Sequence, residues 1–167
     1  MRNITTILLS ALILCSALVV SACDSSEPEI EIEADFITVG FEDHSTMELT
    51  KGSPEFKEIN DEAVRIYRDI CDTMEELVGP DCLEEIIKYN NKFVEIEFIE
   101  PPSVTTYTDE GEVYRILNCR RAISVFTGEF AGAVLCGPTS TEWQEYAVLG
   151  SRRSFSKLEK MVDALRS

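Results

Sequence analysis

VYRILNCRRAISVFTGEFAGAVLC, residues 113–136, is rich in β-branched and aromatic side chains on both sides of Thr127-Gly128. Such a pattern predicts two antiparallel strands, Val113 to Phe126 and Glu129 to Cys136, joined by a tight turn. If Thr127-Gly128 is a two-residue turn, Val125 faces Phe130, Ile123 faces Gly132 and Cys119 faces Cys136. In that register the two cysteines form a non-hydrogen-bonded pair, whose Cα atoms lie about 4.5 Å apart and within the span of a disulfide. Closing a loop of this size adds roughly 3 kcal/mol in the chain-entropy model.

Outward from this hairpin the chain alternates helix and strand signals. Ser53-Pro54-Glu55 is a helix start with a hydroxyl cap, a proline and an acid in the first turn. Phe56, Ile59, Ala63, Ile66, Ile70, Met74 and Leu77 follow at spacings of three and four, which predicts one helix running to Gly79-Pro80. Asp81 and Glu84 stand in capping-box register for a second helix reaching about Tyr89. Lys92 to Glu100 alternates as a strand and is stopped by Pro101-Pro102. Pro101 to Glu112 reads as a loop suited to contacts.

Phe36 to Phe41 and Thr46 to Thr50 form a short hairpin with His44 in its turn, where a lone histidine is solvated rather than catalytic. Trp143 to Leu149 is a last strand, and a closing helix follows with Ser156 and Glu159 as its capping box. The predicted fold class is α+β: an antiparallel β-sheet packed by helices on one face and stapled by disulfides.

The N-terminus supplies an address. Arg2 precedes an apolar run from Ile4 to Val20, the pattern of an export signal and too short for a membrane span of about 20 apolar residues. Val20-Ser21-Ala22-Cys23 at its end resembles the lipobox of prokaryotic lipoproteins. The resemblance implies diacylglyceryl transfer to Cys23, cleavage after Ala22 and an extracytoplasmic chain anchored to the cell membrane by lipid. Asp24 resembles the residue that retains some Gram-negative lipoproteins at the inner membrane. The expected organisation is therefore a signal peptide over 1–22, a lipidated cysteine and acidic tether over 23–34, and one α+β domain over 35–167.

Charge narrows the partners. The chain carries 31 acidic and 15 basic residues, a net charge of −16. Residues 24–112 hold 26 acids against 6 bases, whereas residues 113–167 hold 5 against 8. Phosphate backbones need clustered Lys and Arg, so nucleic acid is excluded as a partner of the first half. A solvated acidic surface explains the asymmetry best, with a basic partner or divalent cations as the sharper alternative.

Cys15 leaves with the leader and Cys23 takes lipid, which leaves Cys71, Cys82, Cys119 and Cys136. Four cysteines outside the cytoplasm read as two disulfides, with three possible connectivities. Helices folding back on each other would join Cys71 to Cys82, and the hairpin register would join Cys119 to Cys136. No pair has zinc-site spacing and His44 is the only histidine, so no metal site is expected.

No motif assigns catalysis or a cofactor. Ser154 and Lys157 match a Ser-x-x-Lys pattern, but the Ser-Asp-Asn and Lys-Thr-Gly elements that accompany it are missing. Asp72, Glu75, Glu76, Asp81, Glu84 and Glu85 crowd one region without the ordered loop of a calcium site. Arg120, Arg121, Arg152 and Arg153 are two basic pairs that offer an anion or partner contact. Pairing with internal carboxylates competes, above all for Arg121, which shares a face with Ile123 and Val125. The order of elements resembles, in architecture only, the repeat of secreted beta-lactamase inhibitory proteins. A binding or protein-interaction module of the cell envelope is the leading expectation, and a carboxylate-dependent envelope hydrolase is the alternative.

Overall fold

Ser53 begins the first helix as expected: its hydroxyl accepts the Phe56 N–H at 3.1 Å, and Pro54 opens α1, Pro54–Arg68. In the computed structural model, residues 32–89, 92–107, 113–137 and 145–167 are described. They belong to one compact unit, Ile32–Ser167. Residues 1–31, over which a leader, a lipidated Cys23 and most of a tether are expected, lie outside the described residues, as do residues 108–112 of the expected loop and Trp143, the start of the expected last strand.

α1 stops well before Gly79. Asp69 caps it and the chain enters a strand, β3, Ile70–Val78. The apolar spacing that suggests a continued helix is overridden by pairing with β9, Tyr146–Ser151, along a ladder with two irregularities. Tertiary hydrogen bonding outweighs a weak local preference here.

The remaining elements are β1 (Phe36–Gly40), β2 (Thr46–Glu48), α2 (Pro80–Tyr89), β4 (Phe93–Glu97), β5 (Val104–Tyr107), β6 (Val113–Leu117), β7 (Arg121–Val125), β8 (Ala133–Gly137) and α3 (Ser156–Ala164). Seven strands form one antiparallel sheet in the order β2-β1-β4-β7-β8-β9-β3, and β5 pairs with β6 in a second sheet. The α+β class and antiparallel sheet are therefore as expected.

The helices are not confined to one face. Alternation along the strands turns Ile37, Val94, Ile96, Ala122, Val134 and Leu149 toward α1 and α3, which contribute Phe56, Ile59, Ile66, Leu158 and Val162. Complete burial of each such side chain is worth about 1.5–3 kcal/mol. The opposite face presents Phe93, Ile123, Val125, Leu135 and Val148 to Leu83 and Ile87 of α2. The strand inserted before α2 carries the chain to the far side of the sheet, where the apolar face of that helix finds cover.

The central hairpin also departs from the expected register. The strand expected over Val113 to Phe126 breaks at residues 118–120, so β6 leaves the main sheet and β7 begins at Arg121. The β7–β8 connection spans residues 126–132 rather than two. Gly128 and Gly132 both take positive φ of 85°, and Gly132 N–H bonds the Val125 carbonyl at 2.9 Å. The longer loop buries Phe130 in the second core. In consequence Cys136 faces Ala122, not Cys119.

No disulfide joins the described cysteines, so the expected stapling is absent from this structure. Cys71 stands near the start of β3 and Cys82 in the helix after its end. β3 runs alongside β9 from the level of Ser151 to that of Tyr146, so most of the length of a strand separates Cys71 from the start of α2, whereas a disulfide tolerates a Cα separation of roughly 7 Å. The proposed Cys71–Cys82 staple is thus corrected by the extra strand.

Buried polar groups tie the layers together. Asn60 on α1 accepts the Ala34 N–H at 2.9 Å and donates to the Ile32 carbonyl at 3.2 Å, fixing where the chain joins the domain. Lys157 of α3 reaches buried Glu62 of α1 at 2.5 Å. Lys92, just before β4, pairs with Glu159 at 2.9 Å and Asp163 at 2.8 Å. Glu159 therefore serves an ion pair from α3 to the start of β4 rather than a capping box, and the N-cap of α3, Phe155, makes no side-chain cap bond.

Candidate functional site

α2 and Phe130 cover only part of the second sheet face. Toward the start of β1 and β7 that face turns polar: Phe36 pairs with Glu97, Glu97 with Arg121, and Arg121 with Gly137. Side chains along this row share one side of the sheet. Glu95, two residues before Glu97, lies on the same side.

Arg121 is the centre of the cluster. Its Nε donates to a Glu95 carboxylate oxygen, and its Nη1 donates to the Tyr146 hydroxyl at 2.9 Å. The guanidinium carbon stands 5.7 Å from the centre of the Tyr146 ring, within range of a cation–π contact. Gly137 makes this approach possible. A Cβ there would meet the Tyr146 ring at 2.7 Å and the Glu145 carbonyl oxygen at 2.9 Å.

The electrostatics follow from this packing. Burial works against the charge on Arg121, but the hydrogen bond and charge of Glu95 more than offset it and raise its pKa. Burial raises the pKa of the Tyr146 hydroxyl, and Arg121 opposes that rise only in part. Glu95 is nearly buried, with 12 % of its side chain exposed, so it is an internal partner rather than a surface acid. Arg120 reaches Glu97 at 3.4 Å on the exposed margin of the cluster. Both neighbouring acids are thus engaged by arginine, and they do not form the acid–carboxylate pair a hydrolase would require.

The four arginines do not converge. Arg153 Nε bonds the Asp69 carboxylate, and Arg152 N–H bonds the Asp69 carbonyl at 3.0 Å. This group sits beyond Ser151, whereas Tyr146 and Arg121 stand at the other end of β9, about 17 Å away along the strand. The internal pairing expected for Arg121 is realised, with Glu95 as its partner. Glu95, Tyr146 and Gly137 were not singled out from the sequence. The alternation of Val94, Glu95, Ile96 and Glu97 placed the acids on one face but could not say which strand would lie beside them.

Other candidates resolve locally. Ser156 N–H bonds Ser154 Oγ at 3.3 Å, and Lys157 is drawn to Glu62, so the Ser-x-x-Lys match forms no reactive pair. His44 adopts a left-handed turn conformation, φ 63°, on the exposed hairpin. Asp81, Glu84 and Glu85 are exposed on α2, and the side chains of Asp72, Glu75 and Glu76 lie outside the described residues. Among the described residues no group of three His, Cys, Asp or Glu side chains is placed to hold a metal ion. No helix among them is long and apolar enough to cross a membrane.

No protein-family model, curated protein or solved structure matches the chain.

Proposed function

We propose that the chain is an exported lipoprotein, anchored through Cys23, whose folded domain is a protein-binding module of the cell envelope. The observation that carries the binding role is the polar half of the second sheet face, where Phe36 remains 46 % exposed beside the Glu97–Arg121 row. An exposed aromatic ring next to side chains already fixed by ion pairs suits a contact surface, because little ordering remains for a partner to impose. Ile99, 62 % exposed, extends the apolar part of this surface, and its N–H is held by Asp35 at 2.6 Å.

The address and the surface are tested separately. Metabolic labelling with a palmitate analogue should mark the wild-type chain and not Cys23→Ser. Crosslinking in native membranes should recover a discrete protein partner that is lost in Phe36→Ser/Ile99→Ser. Equal recovery of the same proteins by wild type and the double variant would discard this surface as the contact.

A further inference from the structure

We infer that the free edge of β2 takes up an extended segment of a partner protein, rich in aliphatic and basic side chains, as an eighth strand of the main sheet. β2 stands at the end of the strand order and has β1 as its one neighbour among the described residues. Leu49 N–H bonds the Ile37 carbonyl and Phe41 N–H bonds the Ser45 carbonyl. Ile37–Leu49, Val39–Met47 and Phe41–Ser45 are therefore the hydrogen-bonded pairs of this hairpin. The backbone groups of Thr46 and Glu48 alternate with these and turn outward, away from β1. Each offers an incoming strand one N–H and one C=O, the main-chain contacts from which strand addition draws its affinity.

The side chains beside this edge set what the added strand must carry. Met47 lies on the face of β2 turned toward α1 and α3, because its partner Val39 is buried in the core that those helices cover. It remains 37 % exposed at a groove of about 420 Å³ that Leu49, Ala164 and Leu165 also line. Residues directly opposed on two strands share a face, so a residue set against Met47 points its side chain into this groove. The residues on either side of it, opposite Thr46 and Glu48, turn to the other face.

Charge selects the partner. Glu48 and Glu55, both exposed, stand at the groove without an ion-pair partner among the described residues. The bases nearest to them in the chain or beside Leu165, Lys51 and Arg166, are held by Asp35 and Asp43. An incoming strand with an aliphatic residue against Met47 and Lys or Arg against Glu48 fills the groove and answers the charge. A second copy would bring another chain of net charge −16 to an edge that is already acidic, so charge favours a basic partner over self-association. Binding here rests on the reading of the domain as a protein-binding module, but it uses residues other than Phe36 and Ile99, so the two contacts fail independently.

The test uses the full chain in a non-ionic detergent and the fluorescein-labelled peptide Lys-Ile-Lys-Val-Lys-Ile-Lys. Anisotropy should show saturable binding that weakens about tenfold or more in Met47→Ser/Leu165→Ser and is unchanged in Phe36→Ser/Ile99→Ser. Methylating the backbone nitrogens of the peptide's central residues keeps its charge and removes its N–H donors, and should abolish binding. The acidic peptide Glu-Ile-Glu-Val-Glu-Ile-Glu should not bind. Hydrogen exchange followed by NMR should slow at the Thr46 and Glu48 amides when the basic peptide is added. No binding up to about 1 mM, equal binding of the methylated peptide, full binding by Met47→Ser/Leu165→Ser, or no protection at Thr46 and Glu48 would overturn the inference. A dimer of the free chain in sedimentation, lost in Met47→Ser/Leu165→Ser, would overturn it as well by assigning the edge to a second copy.

Discussion

Gly137 shows how one missing side chain organises its surroundings. The Tyr146 ring occupies the place of its Cβ, and the Glu145 carbonyl, which is backbone, closes the other side. Gly137→Ala should therefore cost about 1–3 kcal/mol, the usual range for overpacking, because the ring can shift but the carbonyl can do so only with the strand. Urea unfolding checks this, and an unchanged midpoint would show that the edge of β8 yields freely. Arg121 was legible as a paired arginine because Ile123 and Val125 fix its face, whereas its partners Glu95 and Tyr146 depend on strand order, which no local pattern encodes.

At the scale of elements, capping and periodicity placed the start of α1 correctly and overran its end. Ile70, Met74 and Leu77 continue a helical spacing, but Ile70–Val78 gains its hydrogen bonds from β9, whose residues lie 68 to 81 positions further along the chain. The same limit moved the β7–β8 register, since Phe130 and Gly132 build a loop that a two-residue turn cannot anticipate. Helix α3 is held by an asymmetric ion pair: the Lys92 side chain is 8 % exposed, while Glu159 and Asp163 are 40 % and 62 % exposed. Lys92→Met should be tolerated within about 1 kcal/mol, because the two carboxylates return to water and the apolar replacement fills the site. Glu159→Ala/Asp163→Ala should cost about 1–3 kcal/mol, because an almost buried ammonium loses its partners. Chemical denaturation of both variants checks the order, and a larger loss in Lys92→Met would show that the pair itself carries the stability.

Across the whole molecule, acids outnumber bases by 16, so carboxylates remain that no basic side chain can neutralise. Their mutual repulsion acts over about 30 Å at 0.01 M salt and about 10 Å at 0.1 M. Exposed ion pairs such as Arg120–Glu97 contribute about 0–1 kcal/mol each and are weakened by the same screening. Repulsion is the more widespread effect, so the melting temperature should rise between 0.01 and 0.5 M sodium chloride, and a fall would assign the balance to the ion pairs. Alkali should act in the opposite direction. The Lys92 pKa is raised because Asp163 and Glu159 outweigh the opposing effect of burial, and burial raises Tyr67 and Tyr146. Each group has a folded pKa above its unfolded value, about 10 for all three. Below pH 10 both states keep these protons and stability is level with respect to them. Above pH 10 the unfolded chain releases them first, so stability falls as pH rises toward the folded values. Urea midpoints measured from pH 8 to 11 should hold and then drop beyond about pH 10. The drop should be shallower in Tyr67→Phe, which removes one of the three protons. A profile of the same steepness in that variant would show that Tyr67 does not contribute to the alkaline limb.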